Sequence, residues 1–249
     1  MSILSDVIAD EHEVRGTFAV RGADAAKFLQ GQLSADVDTL PAGASAVAGL
    51  HNPQGRVIAL LAVTRAGAAD FELTLPRELL DPVMQRLRKY VLRAKVRIEE
   101  SPELPPAVDS LAAVRAGMPE VYAATSEAFV AQMLNLDLLG AIAFDKGCYT
   151  GQEVIARAHY RGRVKRRTQR WLNASDTPLA PGDAARSTDG RSLIVVRTAQ
   201  GEDGQEILAV GTFAAAGEPP AEGSGETQGA DTAAIQVSGP LPLPYTLPA

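Results

Sequence analysis

Apolar positions recur along this chain with two spacings, and the switches between them mark the elements. Residues 14–20 alternate and predict a strand. Gly22-Ala23-Asp24 then opens a helix, with Asp24 as N-cap and Ala25, Phe28 and Leu29 on the inner face. Residues 44–50 and 56–64 predict two strands joined around the turn sequence Asn52-Pro53-Gln54-Gly55. The run 57–63 is apolar throughout, as expected of a central strand. A third strand is expected at 71–75, and a helix at 77–92 with Leu80, Val83, Met84, Leu87 and Val91 as its stripe. A strand at 95–99 closes this unit, an α+β layer with helices on one side. Pro102, Pro105 and Pro106 interrupt the pattern, and helices are expected at 110–116 and 126–134. Beyond Val164 four short strand-like runs, 170–173, 183–187, 192–198 and 206–213, alternate with Gly, Pro and Asp turns. That spacing predicts a small antiparallel β-barrel. Residues 214–231 lack periodicity and predict a mobile loop, followed by a last strand at 233–237 and an extended tail at 240–248. The expected organisation is an N-terminal α+β lobe over 1–100, a second lobe over 101–163 and the barrel over 164–249.

Composition narrows the class. A chain of 249 residues with 46% hydrophobic and 22% charged content has the profile of an ordinary soluble globular protein of one large or two modest domains. The net charge of −6 excludes a molecule that is, as a whole, a non-specific nucleic-acid binder. No apolar run is long enough to span a membrane, and no membrane partner is expected. The opening MSILSDVIADEHE is too polar and acidic for a signal peptide. The single cysteine excludes an internal disulfide, a CxxC pair and a self-contained iron–sulfur or zinc thiolate site. No stably bound metal is expected on this chain alone, and a reducing cytoplasm is the expected compartment. His12, His51 and His159 are scattered without metal spacing.

That cysteine sits in the most informative stretch, Lys146-Gly147-Cys148-Tyr149-Thr150-Gly151-Gln152-Glu153. Thr150 and Glu153 have the spacing of a capping box, which predicts a helix from Gly151 to about Tyr160, stopping near Gly162. Cys148 then lies just before a helix N-terminus with Lys146 nearby, a setting that favours thiolate. The alternative is a small buried residue filling a gap. Glu153 is accounted for by its capping role.

A basic run follows at once: Arg157, His159, Arg161, Arg163, Lys165, Arg166, Arg167 and Arg170. In an acidic chain this is a local positive field suited to an anion such as a carboxylate tail, a phosphate or RNA. If extended, Arg161, Arg163, Lys165 and Arg167 share one strand face. The alternative is a solvated strand edge guarded by charge. Tyr160 and Trp171, the only aromatics noted near the run, are too few for a stacking platform.

The octapeptide, with Arg157, Gly162 and Lys165-Arg166-Arg167 after it, resembles the signature of the YgfZ family, folate-binding relatives of the glycine-cleavage T-protein. Gln30-Gly31-Gln32 with Asp36-Val37, the Asn52-to-Arg56 turn, Arg115-Ala116-Gly117-Met118-Pro119, Asn135-Leu136-Asp137 and Leu243-Pro244-Tyr245 extend the resemblance over nearly the whole chain. It implies a T-protein-like fold, with α/β lobes around a central folate pocket and a C-terminal barrel. It also implies binding of tetrahydrofolate or a derivative, and a role in assembly or repair of iron–sulfur clusters in some enzymes, tRNA-modifying ones included. Iron–sulfur client or assembly proteins are then the expected partners, with an indirect link to tRNA. Gln30, Gln32, Asp36, Asn52, Arg115 and Arg157 become folate-binding candidates, and Cys148 the functional thiol. Two departures stand out. The strand Arg56-Val57-Ile58-Ala59-Leu60 lacks the acidic pair of T-proteins, and Arg115 stands where they place a pterin-holding Glu. Classical aminomethyl transfer is therefore not expected. A one-carbon transferase with Cys148 as nucleophile and an RNA-binding accessory protein are the alternative functions.

Overall fold

A computed structural model describes residues 14–102, 105, 107–162, 164–213 and 234–248. His12, Arg163, the expected loop at 214–231, the start of the expected last strand at Ala233 and the reading of the first 13 residues lie outside the described residues.

Five strands form the first sheet: β1 (Arg15–Arg21), β2 (Ser45–His51), β3 (Val57–Gly67), β4 (Asp70–Pro76) and β5 (Arg97–Glu100). Their order is β2-β3-β4-β1-β5, and every pair is antiparallel. The two-residue period puts Phe18, Val20, Leu61, Val63, Phe71, Leu73 and Leu75 in the apolar core. Helices α1 (Ala25–Gln32) and α2 (Arg77–Arg88) add Ala25, Phe28, Leu29, Leu80, Val83, Met84 and Leu87. Each large side chain fully buried there contributes roughly 1.5–3 kcal/mol.

Asp24 does not cap α1 with its side chain; its carboxylate accepts from the Lys95 amide at 2.7 Å, drawn off by the approach to β5. Helix α2 stops four residues before the expected 92, because Lys89, Tyr90 and Val91 tighten to bonds reaching back only three residues. A short helix α3 (Ser110–Arg115) follows, capped by the Asp109 carboxylate. The helix expected at 126–134 is absent. Glu127 and Phe129 bond the backbone of Val57, and the Ser126 hydroxyl donates to Ile58 O at 2.7 Å. Pairing with the start of β3 leaves only 3₁₀ turns at Ala123–Thr125 and Ala131–Leu134.

Helix α4 (Gln152–Arg161) leads to β6 (Arg166–Asn173), β7 (Ala184–Ser187), β8 (Ser192–Gln200), β9 (Gln205–Thr212) and β10 (Ile235–Leu241). These five close on themselves in the order β10-β6-β9-β8-β7. Pairing is not antiparallel throughout, because β10 runs parallel to β7. β9 is apolar on both faces: Ile207 and Ala209 pack with Trp171, Leu193, Val195 and Val237, while Leu208 and Val210 join the main core. A tail residue, Tyr245, ties the chain end down, its hydroxyl donating to Gly117 O at 2.8 Å and accepting from Asn135 Nδ2 at 3.2 Å.

Candidate functional site

The cysteine loop is held from below. The Lys146 ammonium donates to Leu33 O and Ala35 O, both at 2.7 Å, and lies 5.2 Å from the centre of the Tyr149 ring. Burial pushes Lys146 down to about 8, against the opposing pull of Asp36 and Asp38. Burial likewise pushes the Tyr149 hydroxyl up to about 12. Cys148, between these two anchors, is exposed, which removes the reading of a buried gap-filler.

The capping box does not form. The N-cap of α4 is Gly151, at φ 83°, with no side-chain cap. Gly151 packs so closely on the β2–β3 turn that a Cβ there would stand 2.5 Å from Asn52 O. This contact moves the helix start past Thr150, and Gln152 Oε1 accepts from the Tyr149 amide at 3.3 Å instead. Thr150 is half-buried, and Glu153 and Gly147 are exposed.

His51 is brought beside this loop, a proximity that its place next to a turn does not reveal in sequence. Its ring centre lies 6.2 Å from that of Tyr149, and its Cβ lies 3.2 Å from where a Gly151 Cβ would be. The imidazole is 1% exposed and neither nitrogen has a partner. Burial pushes it down to about 4, so it is neutral at pH 7.

The folate-binding candidates do not converge. Gln30 donates to Asp36 Oδ1 at 2.9 Å and accepts from the Val37 amide at 2.9 Å. Burial works against the Asp36 carboxylate, yet its bonds with Gln30 and with Thr39 and Asp38 hold it below the usual range. Both residues fix the turn after α1. Gln32 ends α1, half-buried. Asn52 accepts from the amides of Gln54 and Arg56 at 3.0 and 2.9 Å and donates to Glu127 at 3.0 Å, closing its own turn. Arg115 pairs with Glu206 of β9 at 2.7 Å, and Arg170 holds the other carboxylate oxygen at 2.7 Å. Arg157 is exposed on α4.

A cavity of about 490 Å³ lies elsewhere, on the face of the first sheet opposite the helices. Two cross-strand rows make its floor: Ser45, Thr64 and Glu72, then Val47, Ala62, Thr74 and Thr17. Pro105, Val108, Ala113, Met118, Pro119, Glu120 and Arg197 cover it. Glu120 is buried, bonded by Arg15 and by the Val121 amide. Thr17 and Thr74 bond each other at 2.9 Å, and Ser45 and Thr64 at 2.7 Å. Among the described residues the Glu72 carboxylate has no hydrogen-bond or ion-pair partner. Sequence reasoning misses this site. The alternation Phe71-Glu72-Leu73-Thr74-Leu75 reads as a sheet face open to solvent, and only the fold lays Val108, Ala113 and residues 118–120 over it. Cys148 is not in the lining. Val47 in the floor is four residues along β2 from His51 beside the cysteine loop, about 13 Å of strand.

The basic run is split by the fold. Arg167 is 4% exposed and binds both carboxylate oxygens of Asp137 at 3.0 Å, with Gln132 O and Asn135 Oδ1 also accepting. It is a structural ion pair, not an anion-site residue, and Arg170 is drawn to Glu206. The single shared strand face therefore does not exist: Arg161 ends α4, whereas β6 begins only at Arg166. Arg157, Arg161 and Lys165 stay exposed and Arg166 half-buried.

Among the described residues no group of three or more His, Cys, Asp and Glu is placed to hold a metal. No helix of the described residues is long and apolar enough to cross a membrane.

No family model matches the chain. An uncharacterized protein of Haemophilus influenzae is 31% identical over 59% of this chain and 67% of its own. The tRNA-modifying protein YgfZ of Yersinia pestis is 30% identical over 65% of this chain and 70% of its own. Among solved structures, the glycine cleavage system aminomethyltransferase T of Bartonella henselae superimposes with a TM-score of 0.63 over 81% of this chain and 77% of that one. At 14% identity this is a likeness of fold. The fold is thus T-protein-like, and by its likeness to the Yersinia proteins the chain belongs to the YgfZ family.

Proposed function

We propose that this protein is a folate-binding accessory factor of the YgfZ type, serving assembly or repair of iron–sulfur clusters in a subset of cytoplasmic enzymes, tRNA-modifying ones among them. The observation that carries the reading is Cys148: an exposed thiol on a loop anchored by half-buried Lys146 and buried Tyr149, in a chain with relatives named tRNA-modifying. One thiolate cannot hold a cluster, so a partner protein or a small thiol supplies the remaining ligands. Lys146 and Tyr149 keep the loop from collapsing, and Gly151 lets it turn sharply into α4.

The cavity is the proposed folate site. About 490 Å³ falls in the range of small-molecule pockets. A pterin presents an amine and a ring N–H side by side, and an unpartnered, half-buried carboxylate is the acceptor such an edge requires. Glu72 is that carboxylate, with Thr17 and Thr74 beside it and Leu60 and Met118 among the apolar walls. Glu72 thereby stands in for the carboxylate that Arg115 replaces. A bound reduced folate would supply one-carbon or redox chemistry; the protein's part is to bind and orient it and exclude water. The cavity lining excludes Cys148, which favours an accessory factor over a transferase whose thiol attacks a folate-borne carbon.

The test is complementation. Cells lacking this protein and supplied with Cys148→Ser should lose thiolated tRNA nucleosides, read by mass spectrometry, while the purified variant still binds folate. Full restoration of thiolation by the serine variant would overturn the role of the thiol.

A further inference from the structure

Helix α4 carries an arrangement that the run of charges along the sequence hides. The ring of Phe144, from the loop before Lys146, packs against the core. His159 stacks on it, with ring centres 3.9 Å apart and planes 21° from parallel. Tyr160 stands edge-on to both, its ring centre 4.8 Å from that of His159 and 6.1 Å from that of Phe144. His159 is exposed, with Phe144 the one ring stacked on it among the described residues, and Tyr160 is 69% exposed. Phe144 lies 15 residues away in sequence, which is why Tyr160 looks isolated until the chain is folded.

A cationic face of the same helix adjoins Tyr160. Arg157 is one turn before both Tyr160 and Arg161, so the three share one face of α4. Arg157, Arg161 and Lys165 are exposed, and none has an ion-pair or hydrogen-bond partner for its side chain among the described residues. The neighbouring Arg167 and Arg170 are committed to Asp137 and Glu206. The fold therefore sorts one charge run into structural arginines and free cations, and puts two of the free ones, Arg157 and Arg161, on the face of α4 that Tyr160 shares.

We propose that this surface binds a single-stranded RNA segment, with an unpaired base continuing the stack on His159 and the strand passing Tyr160 so that neighbouring phosphates reach Arg157 and Arg161. A stack that ends on an exposed residue suits a base, since every base has a flat π-surface. Guanidinium groups on the adjoining helix face suit a phosphate backbone, in a protein whose net charge of −6 would otherwise repel it. An acidic peptide satisfies the cations but gives no use to the stacked rings. The inference does not rest on the folate reading, because no residue of this surface lines the cavity.

The test is fluorescence-anisotropy titration of the full chain with an unstructured oligoribonucleotide and with an abasic oligomer of the same length, across a series of salt concentrations. Wild type should bind the base-bearing strand more tightly. His159→Ala and Tyr160→Ala should weaken that binding roughly five- to a hundredfold and leave abasic binding unchanged. Arg157→Ala and Arg161→Ala should weaken both strands alike, each lowering the salt slope by about 1. Tyr160→Phe should bind as wild type. Equal affinity of wild type for both strands, undiminished binding by His159→Ala, or no RNA binding at low salt each overturns the proposal; the last two leave an acidic protein surface as occupant. Tetrahydrofolate titration of the same variants keeps the two proposals apart, since each should bind folate as wild type does.

Discussion

The octapeptide loop and the basic run are neighbours in sequence, yet the fold treats them in opposite ways. The loop keeps its members together. Lys146 is bonded to the turn after α1 and Tyr149 is buried, while Cys148 between them is exposed. The run is dismantled. Arg167 goes into a buried pair with Asp137 and Arg170 to Glu206, while Arg157, Arg161 and Lys165 face solvent. Arginines six to thirteen residues apart thus do unlike work, and burial decides which. A cation that meets a carboxylate under the surface becomes architecture; one that does not is available to a partner.

Breaking the buried half of the run should have the largest effect. Arg167→Ala leaves Asp137 and Asn135 without their donor in the interior, and should lower stability by about 3–5 kcal/mol, read by urea denaturation. Loss of less than about 1 kcal/mol would show that the pair is not closed in solution. Next comes the turn into α4. Gly151→Ala meets both a φ of 83° and a backbone oxygen 2.5 Å away, and should destabilise by about 2 kcal/mol or more in the same measurement.

A third effect depends on pH. His51 has a folded pKa of about 4, below the unfolded value near 6.5, so the unfolded chain binds the proton more tightly. Stability is therefore lost as pH falls from 6.5 towards 4. The drop between pH 7 and 4.5 should be smaller in His51→Leu than in wild type by about 2 kcal/mol. Equal drops would mean that the imidazole meets water or a partner. The smallest effects belong to the exposed half of the comparison: Cys148→Ser and Arg161→Ala should each stay within about 0.5 kcal/mol of wild type.

The first sheet is legible in the sequence because its alternation is regular, and so is α4, bounded by Gly151 and Gly162. The ends of these elements are less so. Asp24, Thr150 and the stretch 126–134 each carry helix signals that a contact distant in sequence overrides: Lys95 for the first, Asn52 for the second, β3 for the third. The candidate site divides in the same way. The exposed thiol is legible from a rare residue in a long motif. The cavity is not, since Glu72, Thr17 and Thr74 look like the solvent side of an ordinary sheet until Val108, Ala113 and residues 118–120 cover them. Gln30, Asp36, Asn52 and Arg115 have the polar character of ligands, but their groups are already used in turns and in one ion pair.

The central claim is that a reduced folate occupies the cavity while the thiol acts apart from it. Calorimetric titration with tetrahydrofolate of wild type, Cys148→Ala and Glu72→Gln tests it most directly. The account predicts equal affinity for wild type and Cys148→Ala, and at least a tenfold loss for Glu72→Gln, about 1.4 kcal/mol. Undiminished binding by Glu72→Gln, or binding abolished by Cys148→Ala, would contradict it.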